Sequence, residues 1–332
     1  MSIRLTIVFI LVSIFSSKAQ EPFFSQFYNA PYLVNPAFTG TAHGYVRVGA
    51  NYKSYFNEFD EFNTSALYAD LSLFENDRNP DYGGVGISII HDQAGKAITN
   101  TKAMMAFAYH NAFGRDQNEF IAFGMQAGIN NTNVDFSGLS TQNQWVNGLG
   151  FDPGLSSGEA IQGDNSTVLD LNAGFMWYKF LRNGNSFNLG VSAYHLSRPK
   201  RDFLGQENPV ERRLSLHSSA RFTMSQTVNL APSILYWYQG GSHTVNPGAS
   251  FEFSLKDESY ISVGAWVRNL DVIIGAVQVE YENLMLAASY DLLLSSIADQ
   301  TRNGGFELSM SYLIKRTYKK RARVNSGGRR RR

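Results

Sequence analysis

The chain has 332 residues, 43% hydrophobic and 14% aromatic, with no cysteine and a formal net charge of +1. The missing cysteine excludes disulfides, thiolate metal sites and a lipoprotein anchor, and no stretch after residue 20 approaches the roughly 18 consecutive apolar residues of a spanning helix. The small net charge hides a segregation: the last 18 residues hold ten Lys/Arg and no acid, whereas residues 21–314 hold 17 bases against 28 acids, a net of −11.

Residues 1–19 read as a signal peptide. Met1–Arg4 give a short basic start, Leu5–Phe15 is an apolar run, and Ser17 and Ala19 are the small residues before a cut at Gln20. The alternative, an N-terminal anchor, is short for the roughly 20 residues that cross a bilayer. The chain is therefore expected to leave the cytoplasm.

Residues 20–43 follow as an N-terminal segment. Within it, "FFSQFYNAPYLVNPAFTG" (residues 23–40) carries six rings: Phe23, Phe24, Phe27, Tyr28, Tyr32 and Phe38. Pro31 and Pro36 interrupt it, and proline inside a helix costs about 3 kcal/mol. The stretch is too apolar for a solvated tail and too broken for a regular element, so it must dock against something.

From residue 44 to 314 the signal is period-two alternation. In Phe120–Asn130, Ile121, Phe123, Met125, Ala127 and Ile129 share one face, and Ala122, Gly124, Gln126, Gly128 and Asn130 the other. Val168–Tyr178 and Gly305–Ile314 behave alike. Fourteen strands are expected, near 44–53, 63–74, 83–92, 101–112, 118–133, 168–180, 186–197, 212–223, 228–239, 244–254, 259–267, 270–279, 283–291 and 305–314. Strand 101–112 is ambiguous, because Met104, Ala106 and Ala108 make its second face nearly as apolar as its first.

Loops after even strands are short and several after odd strands are long, notably 134–167, 198–211 and 292–304. Strands of about 9–13 residues, an even count and a small or polar second face predict an all-β transmembrane antiparallel barrel in the outer membrane, because a sheet in lipid must close on itself. Trp177, Tyr178, Trp237, Tyr238, Trp266 and Tyr290, near strand ends, are expected to form interfacial girdles. An even count puts both ends on the periplasmic side. Residues 22–42 are then expected to fold back into the lumen or across its lower mouth, their rings packing on small inward residues. The basic tail, 315–332, would be periplasmic.

The opening stretch resembles that of the PorP/SprF family, where a Q-[FY]-Y…NPA[FY]-x-G pattern follows the signal peptide. Here it is Gln26, Phe27 and Tyr28, then Asn35, Pro36, Ala37, Phe38 and Gly40. "GVGISIIHDQAG" (residues 84–95) resembles the family's G-x-G…D-x-x-G hairpin. The resemblance implies an outer-membrane component of the type IX secretion system of Bacteroidota. Its partners would be that system's other components or a secreted surface adhesin, in a secretion or gliding role.

The residues themselves offer no enzyme. The six histidines show no H-x-x-x-H spacing and there is no G-x-S-x-G, so neither catalytic residue, cofactor nor metal is assigned. Inward carboxylates Asp70, Asp92 and Asp170 could bind a cation or form hydrogen-bonded networks. Trp145, in a neutral Gly/Asn-rich loop, and Lys319, Lys320, Arg321 and Arg323, in the tail, are candidate partner contacts. The tail suits peptidoglycan or an acidic periplasmic protein, or is a plain solvated end; no nucleic acid is implied. Beside the secretion role stands a second reading, a porin or uptake channel for small or hydrophobic solutes.

Overall fold

The computed structural model describes residues 21–315 apart from 22, 43–44, 57–60, 75–79, 96, 115, 136–141, 153, 157–163, 204–205, 256–258 and 295–303. The signal peptide, His43 and the tail candidates Lys319, Lys320, Arg321 and Arg323 lie outside the described residues.

Among the described residues, fourteen antiparallel strands close into a barrel. They are β1 (Tyr45–Phe56), β2 (Glu61–Leu73), β3 (Tyr82–Ala94), β4 (Ile98–Phe113), β5 (Glu119–Val134), β8 (Asp164–Phe180), β9 (Ser186–Tyr194), β12 (Arg213–Thr223), β13 (Val228–Gln239), β14 (Ser242–Ser254), β15 (Tyr260–Arg268), β16 (Val272–Tyr281), β17 (Leu284–Leu293) and β18 (Gly305–Lys315). Each pairs with its neighbours along the chain. The ring closes between β1 and β18, with Tyr45 opposite Lys315 and Tyr55 opposite Gly305. Two loops carry small hairpins that the alternation did not announce: β6 (Trp145–Val146) with β7 (Gly150–Phe151), and β10 (Lys200–Phe203) with β11 (Gln206–Pro209).

The chain enters β1 and leaves β18 at one end of the barrel, here the terminal rim. Tight turns such as 181–185 and 282–283 join strands there. The opposite, distal rim carries the long connections after β5, β9 and β17.

The two faces follow the pleat. On β5, Ile121, Phe123, Met125 and Ile129 are exposed, while Ala122, Gln126 and Asn130 are buried. The ambiguous strand resolves as β4, with Met105, Phe107 and Tyr109 outward and Met104, Ala106, Ala108 and His110 inward. The exposed face is the apolar band that a bilayer covers.

The girdle expectation needs correction. Tyr238 and Tyr290 are exposed, but Tyr178, Trp237 and Trp266 are buried in the lumen. Position near a strand end does not decide a side chain's direction; parity does. If Trp177 belongs to the outer face, Tyr178 must point inward.

The outer face makes a prediction. Met105 is 72% exposed at the middle of β4. Met105→Arg places a charge in hydrocarbon at a cost of about 2–4 kcal/mol. It should lower the midpoint of urea unfolding in lipid vesicles, while Asn183→Arg in a rim turn leaves the midpoint unchanged.

Candidate functional site

The lumen is occupied by the chain's own N-terminal segment. Glu21 lies at the distal rim, beside His195 just past β9, Arg213 at the start of β12 and Gln239 at the end of β13. Gly40 lies near the terminal rim, bonded to Asp70 late in β2. Residues 21–42 therefore run the length of the lumen. This settles where the segment docks: along the interior, not across one mouth.

Its local shape follows from its prolines. Pro31 opens a single α-helical turn, Pro31–Val34, and Pro36 opens a 3₁₀ turn, Pro36–Phe38. Proline is tolerated at a first helical position because its missing N–H would have had no partner there. Asn35 caps the second turn, its Oδ1 accepting from the Ala37 N–H at 2.9 Å.

An irregular segment has no ladder for its backbone groups, so the wall must supply partners. Near the distal end, Glu307 accepts the N–H groups of Ser25 and Gln26 at 2.6 and 3.0 Å. The Gln26 amide donates to Ser289 Oγ and to the Glu307 carbonyl, both at 3.0 Å. Lys53 donates to the Phe23 carbonyl at 3.0 Å and pairs with Asp291 at 3.2 Å. Arg268 pairs with Asp291 at 3.0 Å and donates to Ser25 Oγ at 3.1 Å. Two acids and two bases on the wall thus surround Ser25 and Gln26.

Midway, Asn35 donates through Nδ2 to the carbonyls of Phe175 and Val191 at 3.0 and 3.2 Å, and His217 Nε2 lies 3.0 Å away. Three wall glycines make room for this turn. A Cβ on Gly124 would stand 2.4 Å from Pro36 C and Ala37 N, one on Gly174 1.9 Å from Asn35 Oδ1, and one on Gly190 2.8 Å from Asn35 Nδ2. Gly124 and Gly174 are opposite each other in the sheet. The notch is thus built into adjoining strands.

Toward the terminal rim, the Gly40 N–H donates to Asp70 Oδ2 at 2.6 Å, and Arg47 holds Asp70 through two bonds of 2.9 and 3.0 Å. Gly40 has φ +81° and its hydrogen faces Gly84, where a Cβ would meet Gly84 Cα at 2.5 Å. Both the left-handed backbone and the close approach require glycine. Thr39 O lies 2.8 Å from His110 Nε2.

The rings pack mostly on other rings rather than on small inward residues, as expected from sequence. Phe23 meets Trp237 edge-on with centroids 4.4 Å apart, Tyr28 stacks on Trp266 at 4.7 Å, and Phe38 lies against His217 at 5.0 Å. Phe24 packs with Ala66 and Ile90, and Phe38 also packs on the cluster that holds Ala37 and Ala122.

The distal cap is an ionic cluster that sequence reasoning missed. Glu21 pairs with Lys102, with His195 at 2.8 Å and with Arg213 at 2.8 Å, and His195 Nδ1 lies 2.8 Å from Asp170. Arg213 also donates to the Leu33 carbonyl at 3.1 Å and lies over the Tyr194 ring. His195 adopts φ +57°, uncommon for a side chain of its size, with its N–H held by Asn172 Oδ1 at 3.0 Å. Burial alone would raise the Glu21 carboxyl, but Lys102, His195 and Arg213 outweigh it and hold it well below its usual value. Burial alone would lower the His195 imidazole, but Glu21 and Asp170 hold it above.

The sequence-chosen residues divide cleanly. Gln26, Phe27, Tyr28, Asn35, Pro36, Ala37, Phe38 and Gly40 all lie in the threaded segment. Asp70 and Asp170 belong to its polar supports, in separate neighbourhoods; Asp92 bonds Thr64 at 2.7 Å. Trp145 is remote from them, exposed in the β6–β7 hairpin beside Phe151. At the distal end about 50 Å³ is left beside the segment, room for a few waters. Toward the terminal rim the lumen widens into a cavity of about 490 Å³ with Tyr28, Phe38 and His217 in its lining.

Comparison with known proteins gives a family and a fold. The family described as type IX secretion system membrane protein PorP/SprF matches residues 16–312. No curated protein matched. Among solved structures, the Ralstonia pickettii toluene transporter TbuX aligns over 87% of this chain and 94% of its own at 9% identity, TM-score 0.50. A Pseudomonas aeruginosa FadL homologue aligns over 85% and 92% at 10% identity, TM-score 0.46. The first likeness supports the outer-membrane barrel fold.

Two outcomes follow from the geometry. Gly124→Val with Gly174→Val overfills the notch, at about 1–3 kcal/mol per site. The barrel should still migrate as a folded, heat-modifiable species on gels, while the Asn35–Ala37 turn becomes cleavable by added protease. The second concerns pH. Glu21, depressed, contributes above 4.5 and loses its contribution only below that value; His195, raised, contributes fully below 6.5 and loses it as pH rises through its higher folded value. Protease access to the segment should be least between these two values and rise on the alkaline side. His195→Gln should abolish the alkaline limb; an unchanged limb would exclude the imidazolium as a support.

Proposed function

Because the chain belongs to the PorP/SprF family of type IX secretion system membrane proteins, we propose that it is a non-enzymatic outer-membrane platform closed by its own N-terminal segment. In this reading the terminal rim faces the periplasm and the distal loops face outward. The platform supports secretion or surface attachment of an adhesin, or anchors the secretion complex to its periplasmic parts.

One observation carries the proposal. Five of the eight residues of the family pattern, Gln26, Asn35, Pro36, Ala37 and Gly40, are among those that fix the segment to the wall. A pattern spent on closing a lumen suits a scaffold better than an open pore. The distal loops, including the exposed Trp145 hairpin, remain for an extracellular partner.

A channel for small or hydrophobic solutes is the competing reading, favoured by the cavity of about 490 Å³ at the terminal rim. Planar-bilayer recording separates the two. The full-length protein should show little steady conductance, and both removal of residues 21–42 and the Gly124→Val/Gly174→Val pair should open it. Large stable channels in the unaltered protein would favour transport. In cells, deletion should remove a surface adhesin or secreted cargo while small-solute permeability stays normal; unchanged secretion would overturn the platform.

A further inference from the structure

We infer that the terminal-rim cavity is the resting site of the chain's own basic C-terminal segment, with Tyr318 as its anchor. The cavity is amphipathic. Phe27, Tyr28 and Phe38 of the threaded segment and Phe187 of β9 supply rings. A second space of about 210 Å³ shares Tyr28, Ser219 and Gln278 with its lining. Such a mixed, partly enclosed space suits one aromatic side chain and its neighbours.

Charge selects the occupant. Three other carboxylates near this rim are paired with cations, Asp116 with Arg182, Glu119 with Lys179 and Glu252 with Arg221, at 2.8, 2.5 and 2.6 Å, and Asp81 is held by Tyr109, Asn111 and the Ala112 N–H. Glu280 and Glu282, which also line the cavity, have no cationic partner among the described residues. Glu280 takes only a bond from the Gln278 amide, at 2.6 Å. Two acids with no cation beside them among the described residues, next to an aromatic pocket, fit a ring flanked by basic residues.

The chain delivers such a sequence to this place. Leu313 of β18 lines the cavity, and its N–H donates to Asn283 O, in the turn that carries Glu282, at 2.9 Å. The following residues read Lys315, Arg316, Thr317, Tyr318, Lys319, Lys320 and Arg321. Tyr318 is five residues past Leu313, a reach of up to about 17 Å when extended. Docking is intramolecular, so its effective concentration is in the millimolar range or above and weak contacts suffice.

Cysteine crosslinking in the full-length protein tests this on a cysteine-free background. Thr317→Cys, which leaves Tyr318 in place, is paired with Ser219→Cys, which lines the cavity, or with Asn118→Cys, in the β4–β5 turn of the same rim. Under mild oxidation the Ser219→Cys pair should close about tenfold faster than the Asn118→Cys pair, read by gel mobility of heat-modifiable, folded protein. Glu280→Gln with Glu282→Gln should remove the difference. Equal rates in the parent background, or a preference untouched by the glutamine pair, would overturn the proposal. As an independent reading, trypsin should cleave the tail several-fold faster in the glutamine pair than in the parent; equal cleavage would also count against it. Neither result depends on which extracellular partner the barrel serves.

Discussion

The molecule depends on how an irregular segment satisfies its backbone inside a sheet that has no spare edge. Every strand of the barrel spends its own N–H and C=O groups on its neighbours, so a threaded chain finds no ladder. Wall side chains take that role. Glu307 receives two successive N–H groups, Asp70 receives the Gly40 N–H, and Lys53, Arg213, Arg47 and Ser192 donate to the carbonyls of Phe23, Leu33, Phe38 and Val34. Tyr68 donates to the Asn29 carbonyl. Each support meets particular groups of the segment, so together they fix its depth as well as its presence.

Burying so many charges does not by itself add stability. Desolvation costs several kcal/mol per ion, and mutual pairing roughly offsets it. What the ions provide is position. Apolar rings such as Phe23 and Tyr28 would pack nearly as well after sliding by a residue, but Glu307 and Glu21 would then each lose their partners. Removing one member leaves an unpaired buried charge, which is the more severe loss. The distal end relies on such ions, whereas the middle relies on shape: Asn35 to Ala37 sit where Gly124, Gly174 and Gly190 leave out a Cβ.

Much of the barrel was legible in the sequence, because lipid imposes a strict period of two and the pleat enforces it. All fourteen strands lie where the alternation put them, with ends moved by a few residues, as in β8, which begins at Asp164. The threaded segment was legible as a docked one from its rings and prolines. Its supports were not. Glu21 and Arg213 are 192 residues apart, and nothing local ties them. Glycines were visible on the inward face of β5 and β8, but only the register that sets Gly124 opposite Gly174 turns them into a notch. Trp237 and Trp266 lie inward because parity, and not place along the strand, sets a side chain's direction.

The segment does not fill the lumen evenly, and that asymmetry bears on mechanism. About 50 Å³ remains at the distal end, against about 490 Å³ beneath Tyr28 and Phe38. Glu21 is enclosed by Lys102, His195 and Arg213, whereas Glu280 and Glu282, in the lining of the terminal-rim cavity, have no cationic partner among the described residues. Among the described residues, the space beside the segment at the distal end holds a few waters, and the larger one opens at the terminal rim. The aromatic side of the threaded segment, Phe27, Tyr28 and Phe38, forms the back wall of the terminal-rim cavity. The same residues that close the lumen thereby shape the surface presented at the terminal rim. Closure of the lumen and the shape of the terminal-rim cavity are two consequences of one insertion, and any change that unseats the segment must alter both.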